Sequence, residues 1–308
     1  MEENTQGGVS SGQFRCGYVA LIGRPNVGKS TLMNALVGQK VSIVTRKPQT
    51  TRHKILGILT RPGDQLIFLD TPGLITPDYP LHDAMMEAAR SAIGDADVVL
   101  FMIDATSPGT GREIREEAAF KALLGCRVPV FLLINKLDLV KPDSVLPLIA
   151  SYSGEYSFKE IFPISALKLI GTQDLLEALS RELPVHPALY PAESLSEHSE
   201  RFFVAELIRE KIIEKFRDEI PYSTEVQIAE FKEIKGRKDL IQAEIFVERD
   251  SQKGILIGKE GNALKEIGEQ ARKEIEAFLQ RPVYLELHVR VKEQWRKSNE
   301  WLKKFGYR

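Results

Sequence analysis

The segment Gly23-Arg24-Pro25-Asn26-Val27-Gly28-Lys29-Ser30 constrains this chain more than any other stretch of it. It matches the pattern GxxxxGK[ST], and it stands directly after an apolar run, Gly17–Gly23, and directly before a helical pattern, Ser30–Val37. That strand–loop–helix context is what the chemistry requires. Glycines let the backbone curl until successive N–H groups point inward at phosphate oxygens. The helix that follows adds the positive end of its dipole at the same place. The predicted phosphate cradle is therefore Gly23, Arg24, Pro25, Asn26, Val27, Gly28, Lys29, Ser30 and Thr31. Lys29 is expected to neutralise β- and γ-phosphates, and Ser30 to offer its hydroxyl to Mg2+. A chance match in a turn is the bland alternative, and the correct flanks argue against it.

The rest of the first half fits such a loop. Short apolar runs recur at 17–23, 65–70, 97–104, 128–134 and 161–164, with amphipathic stretches such as Leu81–Gly94 between them. Continuous apolar strands alternating with helices predict a mostly parallel sheet covered on both faces, with ligands outside the carboxyl ends of the strands.

Three further motifs fall at such ends. Asp70-Thr71-Pro72-Gly73 closes one run, so Asp70 can hold Mg2+ directly or through a water, and the Gly73 N–H can sense a γ-phosphate. Asn135, Lys136 and Asp138 follow another run. An ionised Asp is acceptor-only, and guanine offers two donors on one edge where adenine offers no such pair, so the expected nucleotide is GTP, with GDP as the product state. Ser165, Ala166 and Leu167 are expected to support the base with backbone N–H groups. In the polar stretch Pro48–Arg52, a threonine hydroxyl can complete the Mg2+ shell only when a γ-phosphate is present; Thr51 is preferred to Thr50. Lys29, Thr51 and Gly73 are the residues expected to act on the transferred phosphate, and Ser30, Thr51 and Asp70 those expected at the metal.

The domain organisation expected is a flexible tail over 1–13, a nucleotide-binding domain over 14–184, a Pro/Ser-rich linker over 185–199 and a second domain over 200–308. In the second domain Val204, Ile208, Ile212 and Phe216 recur every four residues on one helix face. Ile241, Ala243, Ile245 and Val247 alternate with polar residues except Phe246, as do Val283, Leu285, Leu287, Val289 and Val291, which predicts half-buried strands. The element order is helix, strand, strand, helix, helix, strand. The net charge of -1 carries no information about nucleic acid, but residues 288–308 hold seven Lys or Arg against two Glu, with Trp295, Trp301, Phe305 and Tyr307 among them. Cations interleaved with flat rings suit single-stranded nucleic acid, and a solvated helix with packed rings is an equal alternative. Two cysteines, Cys16 and Cys126, are too few for a cysteine metal site and read as reduced, packed thiols of a cytoplasmic protein. None of the five histidines falls in a catalytic or metal-binding pattern. No apolar run approaches the ~18 residues that span a bilayer.

Taken together, these motifs resemble the translation-factor-related GTPases. Gly254-Ile255-Leu256-Ile257-Gly258-Lys259-Glu260-Gly261 is similar to the GxxG region of a KH domain of the bacterial type. A P-loop GTPase domain with a mostly parallel sheet, followed by one α+β type II KH domain, resembles the Era family of ribosome-assembly GTPases from about Gly17 to the C-terminus. The resemblance implies a monomer that binds 16S ribosomal RNA near its 3′ end and assists assembly of the 30S subunit. GxxG loops clamp short single strands, which puts Gly258, Lys259 and Gly261 at the RNA, while Glu260 would repel phosphate unless it points away. Trp295, Arg296 and Lys297 in the basic, aromatic tail are expected to complete the groove. Family members with Asn at the position of Asn26 can use K+ near the phosphates; a purely structural role for Asn26 stands open beside that.

Hydrolysis needs an in-line water and charge neutralisation. The residue after the DTPG motif is Leu74, where Ras-like switches carry a water-orienting glutamine, so intrinsic turnover is expected to be slow. Two other functions are open: a GTPase acting on another RNA, and a regulator in peripheral contact with the inner face of the cell membrane, since a basic tail also suits anionic lipid. A tRNA-modifying enzyme would need a further catalytic or cofactor domain, for which the second half has no room.

Overall fold

The computed structural model describes residues 13–109 and 112–307. The tail expected over 1–13 lies, apart from Gln13, outside the described residues. The first half forms β1 (Arg15–Gly23), α1 (Lys29–Val37), β2 (Ile55–Arg61), β3 (Asp64–Asp70), α2 (Pro80–Asp95), β4 (Val98–Asp104), α3 (Arg112–Glu116), α4 (Ala118–Lys121), β5 (Val130–Asn135), α5 (Val145–Ser153), β6 (Glu160–Pro163) and α6 (Thr172–Glu182). The six strands make one sheet in the order β2-β3-β1-β4-β5-β6, parallel except where β2 runs against β3.

The register explains why a site forms at one edge. Leu21 pairs with Asp70, Gly23 with Met102 and Asp104 with Asn135. The last residues of β1, β3, β4 and β5 therefore end side by side. Each of these strands is a nearly unbroken apolar run because both of its faces are buried. β2 lies outside the five expected runs: it is an antiparallel edge strand interrupted by Gly57, and its free edge is covered when the Ile58 N–H donates to the Leu195 carbonyl at 2.9 Å.

The second half forms α7 (Glu200–Lys215), α8 (Ile220–Ser223), β7 (Glu225–Lys232), β8 (Asp239–Val247), α9 (Asp250–Ile257), α10 (Asn262–Leu279), β9 (Val283–Val291) and α11 (Asn299–Lys304). Its three-stranded sheet has the order β7-β8-β9, with β8 and β9 parallel and β7 and β8 antiparallel. Ile241, Ala243, Ile245 and Val247 of β8 are fully buried beneath Val204, Ile208 and Ile212 of α7 and Ile267, Ala271 and Ile275 of α10, in a core separate from those flanking the larger sheet.

One expectation is corrected here. The aromatic tail does not lie open to bases. Trp295 has no exposed surface, its indole N–H donates to the Ser223 carbonyl at 2.9 Å, and its ring meets Phe305 edge-to-face. Trp295, Leu302, Phe305 and Tyr307 join the hydrophobic core on one face of the larger sheet. Burying so much aromatic surface is worth more than leaving it for an occasional ligand. The tail cements the two halves together.

Candidate functional site

The loop between β1 and α1 takes its shape from three residues with positive φ: Asn26 at 63°, Gly28 at 104° and Gly23 at 155°. A Cβ on Gly28 would sit 2.3 Å from the Asn135 amide nitrogen, and one on Gly73 would sit 2.5 Å from the Pro25 nitrogen. The motifs thus pack directly on bare glycine backbone, and no side chain fits between them. Lys29 is buried at the start of α1 and its ammonium donates to the carbonyls of Gly23 at 3.2 Å and Arg24 at 3.0 Å. Burial pushes its pKa down to about 8, with Asp70 pulling the other way.

Asp70 is the centre of an oxygen cluster. Its Oδ2 accepts from Ser30 at 2.5 Å, Ser42 at 2.8 Å and Thr51 at 3.5 Å, and the Ser30 and Thr51 hydroxyls are 3.0 Å apart. Burial raises the pKa of Asp70, against the pull of Lys29 and of the three hydroxyls. Its other oxygen, Oδ1, is buried without a hydrogen-bond partner. A desolvated carboxylate with an orphaned oxygen, set among hydroxyls, is a hard-oxygen donor set that fits Mg2+. Thr50, by contrast, turns its hydroxyl to Thr45 at 2.7 Å and to the Lys47 carbonyl at 2.9 Å, away from this cluster. Ser42 is a member that no motif announces: it lies in an irregular stretch, and only the fold brings it to Asp70.

The base side is equally organised. Asn135 donates to the Val27 carbonyl at 2.7 Å and accepts from the Ala166 N–H at 2.9 Å, tying the two loops together. Lys136 adopts a left-handed φ of 69° and pairs with Asp104 at 2.5 Å. Asp138 is exposed, and one of its oxygens accepts from the Ser165 hydroxyl at 2.5 Å, which fixes the carboxylate in the mouth of the cleft. The cleft has a volume of about 520 Å3. Of the predicted residues, Pro25, Asn26, Gly28, Lys29, Ser30, Thr31, Thr51, Gly73, Asn135, Lys136, Asp138, Ala166 and Leu167 line it. Gly23, Val27, Asp70, Thr71, Pro72 and Ser165 stand behind the lining as supports; Thr71, for example, donates its hydroxyl to the Leu21 carbonyl at 2.7 Å. Arg24 turns to Glu117 at 2.5 Å. Leu74 is buried in the core, so it offers nothing to a water.

A second concavity lies on the smaller sheet. Gly258 and Gly261 have φ of 74° and 78°, and Glu260 between them 54°, so the chain reverses sharply from α9 into α10. Lys259 and Glu260 are exposed. Beside this turn is a shallow groove of about 400 Å3 with Leu264, Leu285 and Leu287 as its apolar floor and Lys265 and Arg272 among its walls. These residues escaped the motif-based reading. A signal existed: Leu285 and Leu287 share the apolar alternation of β9 with Val283 and Val289, yet remain only half-buried. Among the described residues, none of 295–307 lines this groove. Arg296 is held by Glu248 at 2.5 Å and lies over the Tyr79 ring, so of the three tail residues expected at RNA only Lys297 is exposed. No helix among the described residues is long and apolar enough to cross a membrane.

Comparison with known proteins agrees with this geometry. Residues 18–136 match the family described as 50S ribosome-binding GTPase, and residues 219–296 match the KH domain family. The chain is 50% identical over 298 residues to GTPase Era of Lacticaseibacillus paracasei, covering 96% of this chain and 97% of that one. It is 48% identical to the chloroplastic GTPase ERA1 of Zea mays, covering 95% of this chain and 70% of that protein. Among solved structures, Aquifex aeolicus Era bound to GDP and AlF4− superposes with a TM-score of 0.89 at 41% identity, covering 96% of this chain and 99% of that one. Era in complex with MgGDPNP and nucleotides 1506–1542 of 16S ribosomal RNA gives the same TM-score and coverage at 42% identity.

Proposed function

The chain belongs to the Era family of GTPases, and from that premise we propose that it is a GTP-hydrolysing switch that binds 16S ribosomal RNA near its 3′ end and assists assembly of the 30S subunit. What carries the reading is the full-length likeness to an Era that holds a magnesium nucleotide and 16S RNA at once. The two functions divide between a GTPase unit over 14–184 and an RNA-binding unit over 200–308, with 185–199 as the link.

In the GTPase unit Asp138 accepts from the guanine edge, and Asn135 locks the base loop to the phosphate loop. Lys29 leaves the Gly23 and Arg24 carbonyls for the phosphates, where its charge offsets the negative charge that spreads over the γ-phosphoryl oxygens. Ser30, Thr51 and Asp70 are the residues that would hold Mg2+, which when bound neutralises the β- and γ-phosphates. Water attacks the γ-phosphorus, the bond to the β–γ bridging oxygen breaks, and GDP and phosphate result. Leu74, buried in the core, has no hydrogen-bonding group to orient the water as a glutamine does, so turnover is expected to be slow until a partner helps. The Asn26 amide nitrogen donates to the Arg46 carbonyl at 2.9 Å, which joins the phosphate loop to the switch segment. If K+ also acts there, hydrolysis rises when K+ replaces Na+ at constant ionic strength and Asn26→Ala removes the rise; equal rates in the two salts restrict Asn26 to its loop contact.

In the RNA-binding unit Gly258 and Gly261 let the backbone approach phosphate, Lys259 pairs with it, and bases rest on Leu264, Leu285 and Leu287. The protein acts in the cytoplasm as a monomer. The competing reading is peripheral attachment to anionic lipid. Binding of a single-stranded 16S 3′-end RNA and of phosphatidylserine vesicles, each titrated with salt, separates the two. Tight, saturable RNA binding with weak vesicle binding supports the present reading, and the reverse order overturns it.

A further inference from the structure

The segment that carries Thr51 is held from the other domain. Arg209 of α7 donates from Nη2 to the Thr50 carbonyl at 2.6 Å. The same guanidinium is gripped by Glu206, Nε to Oε1 at 2.7 Å and Nη2 to Oε2 at 2.6 Å, with Arg209 almost wholly buried. On the far side of Thr51, Arg52 reaches into the same domain and donates to the carbonyls of Thr224 at 2.8 Å, Pro221 at 3.0 Å and Tyr222 at 3.1 Å, and to Glu225 at 3.1 Å. Thr51 thus hangs between two anchors that do not belong to the GTPase unit.

The peptide that joins residues 50 and 51 is planar, so fixing its carbonyl fixes the direction in which the chain enters Thr51. The Thr51 hydroxyl lies 3.0 Å from Ser30 and within reach of Asp70. We propose that Arg209 is a positioning residue of the GTPase centre: by holding the Thr50 carbonyl it presents the Thr51 hydroxyl to the metal cluster, so the RNA-binding domain supplies a working part of the nucleotide site. The proposal rests on the GTPase reading and adds to it a specific atom-to-atom link. The guanidinium is suited to the task because its planar fork holds a bidentate carboxylate and still has an N–H for the carbonyl, which an ammonium cannot do in one geometry. Burial works against charge at this pair, but the contact with Glu206 holds Arg209 in its charged form and keeps the Glu206 carboxyl below its usual range.

The test uses the full chain. The parent is first shown to hydrolyse GTP in a Mg2+-dependent way; if it does not, the GTPase reading itself fails. Arg209→Lys keeps the charge beside Glu206 and loses the fork. It is expected to lower kcat by about tenfold or more, to shift the Mg2+ midpoint of hydrolysis upward, and to leave GDP affinity within about twofold, because Thr51 serves only the triphosphate state. That split places the loss at the triphosphate-specific switch segment rather than in the nucleotide pocket as a whole. Lys40→Met is the control: it removes other contacts of the same segment, to Glu210 at 2.5 Å and Glu274 at 2.8 Å, without touching Thr50. Should Arg209→Lys unfold, Arg209→Leu with Glu206→Leu removes the buried pair as a whole and carries the same expectation. A folded variant with kcat and Mg2+ midpoint both within about twofold of the parent, or an equal loss in Lys40→Met, overturns the proposal.

Discussion

The nucleotide cleft and the groove proposed for RNA are built by opposite means. In the cleft, position is set by backbone: three positive-φ residues shape the loop, and Gly28 and Gly73 admit no side chain because neighbouring atoms would lie 2.3 and 2.5 Å from a Cβ. The groups on its phosphate side, Lys29 and Asp70, are buried, hydrogen-bonded and perturbed. In the groove, only the GxxG turn is set in that way. The floor is made of side chains from α10 and β9 that are half-buried and open to water. A cleft of the first kind recognises one ligand closely and tolerates little change. A groove of the second kind accommodates a flexible strand, and its binding is spread over several weak contacts.

That contrast orders the expected effects. Asp138→Asn strikes the group proposed to read guanine. Two charge-assisted bonds are lost, each worth ~1.5–3 kcal/mol, so GTP affinity falls by at least about a hundredfold, while xanthine nucleotide, with a carbonyl where guanine has its amino group, gains in relative terms. Unchanged GTP affinity by fluorescent-nucleotide titration would remove Asp138 from the base site. In the groove the corresponding change is Gly261→Asp. No atom lies within 4 Å of a Cβ at Gly261, whereas one at Gly258 would sit 2.6 Å from the Ala263 Cβ. Gly258→Asp therefore confounds RNA repulsion with a clash inside the protein, and Gly261→Asp is the cleaner probe, at a backbone cost of ~1 kcal/mol for its positive φ. Single-strand RNA affinity is expected to drop roughly tenfold with nucleotide affinity unchanged. The milder Lys259→Ala lowers the slope of log K against log salt by roughly 0.7, one phosphate contact. A folded Gly261→Asp that binds RNA like the parent would mean that the groove is not where the strand lies.

The two sites also differ in how much of them can be read without a structure. The residues of the cleft are contiguous in sequence because one loop supplies several backbone groups, so Gly23–Ser30, Asp70–Gly73 and Asn135–Asp138 are legible as words. So was the parallel sheet, since strands buried on both faces are plain apolar runs. Ser42 was not legible: one serine in an irregular segment meets Asp70 only because the fold returns it there. Nor was Arg209, whose partner in the nucleotide-binding half is a backbone carbonyl that carries no sequence signature. In the groove, Leu264, Leu285 and Leu287 come from two elements and differ from core positions only in lacking a cover, and Lys265 and Arg272 beside them look like any solvated helix charges. The tail misled for a related reason. Rings among cations are the same pattern whether they face bases or pack inward, and the Ser223 carbonyl that receives the Trp295 indole decides for packing.

The smallest effect concerns Lys29, and it tests whether burial matters to the cleft as the contrast claims. The pKa of this lysine is about 8 rather than the ordinary 10.5, with burial as the main cause and Asp70 opposing it. Below pH 8 the ammonium is present before and after nucleotide arrives. Between pH 8 and 10.5 the buried amine of the nucleotide-free protein has given up its proton, while the same group in water would keep it. Phosphate oxygens beside Nζ favour the charged form. Binding GTP above pH 8 must then draw a proton from solvent, and affinity must decline as pH rises through that window. Calorimetry at pH 8.5 in two buffers of different ionisation enthalpy should give different observed heats, whereas near pH 6.5 the contribution of Lys29 should vanish. Lys29→Met, if enough affinity remains to titrate, should lose the difference at pH 8.5. Equal heats in the two buffers at pH 8.5, or an undiminished difference in Lys29→Met, would show that Lys29 is solvated like an ordinary surface lysine. The cleft would then owe its character to backbone shape alone.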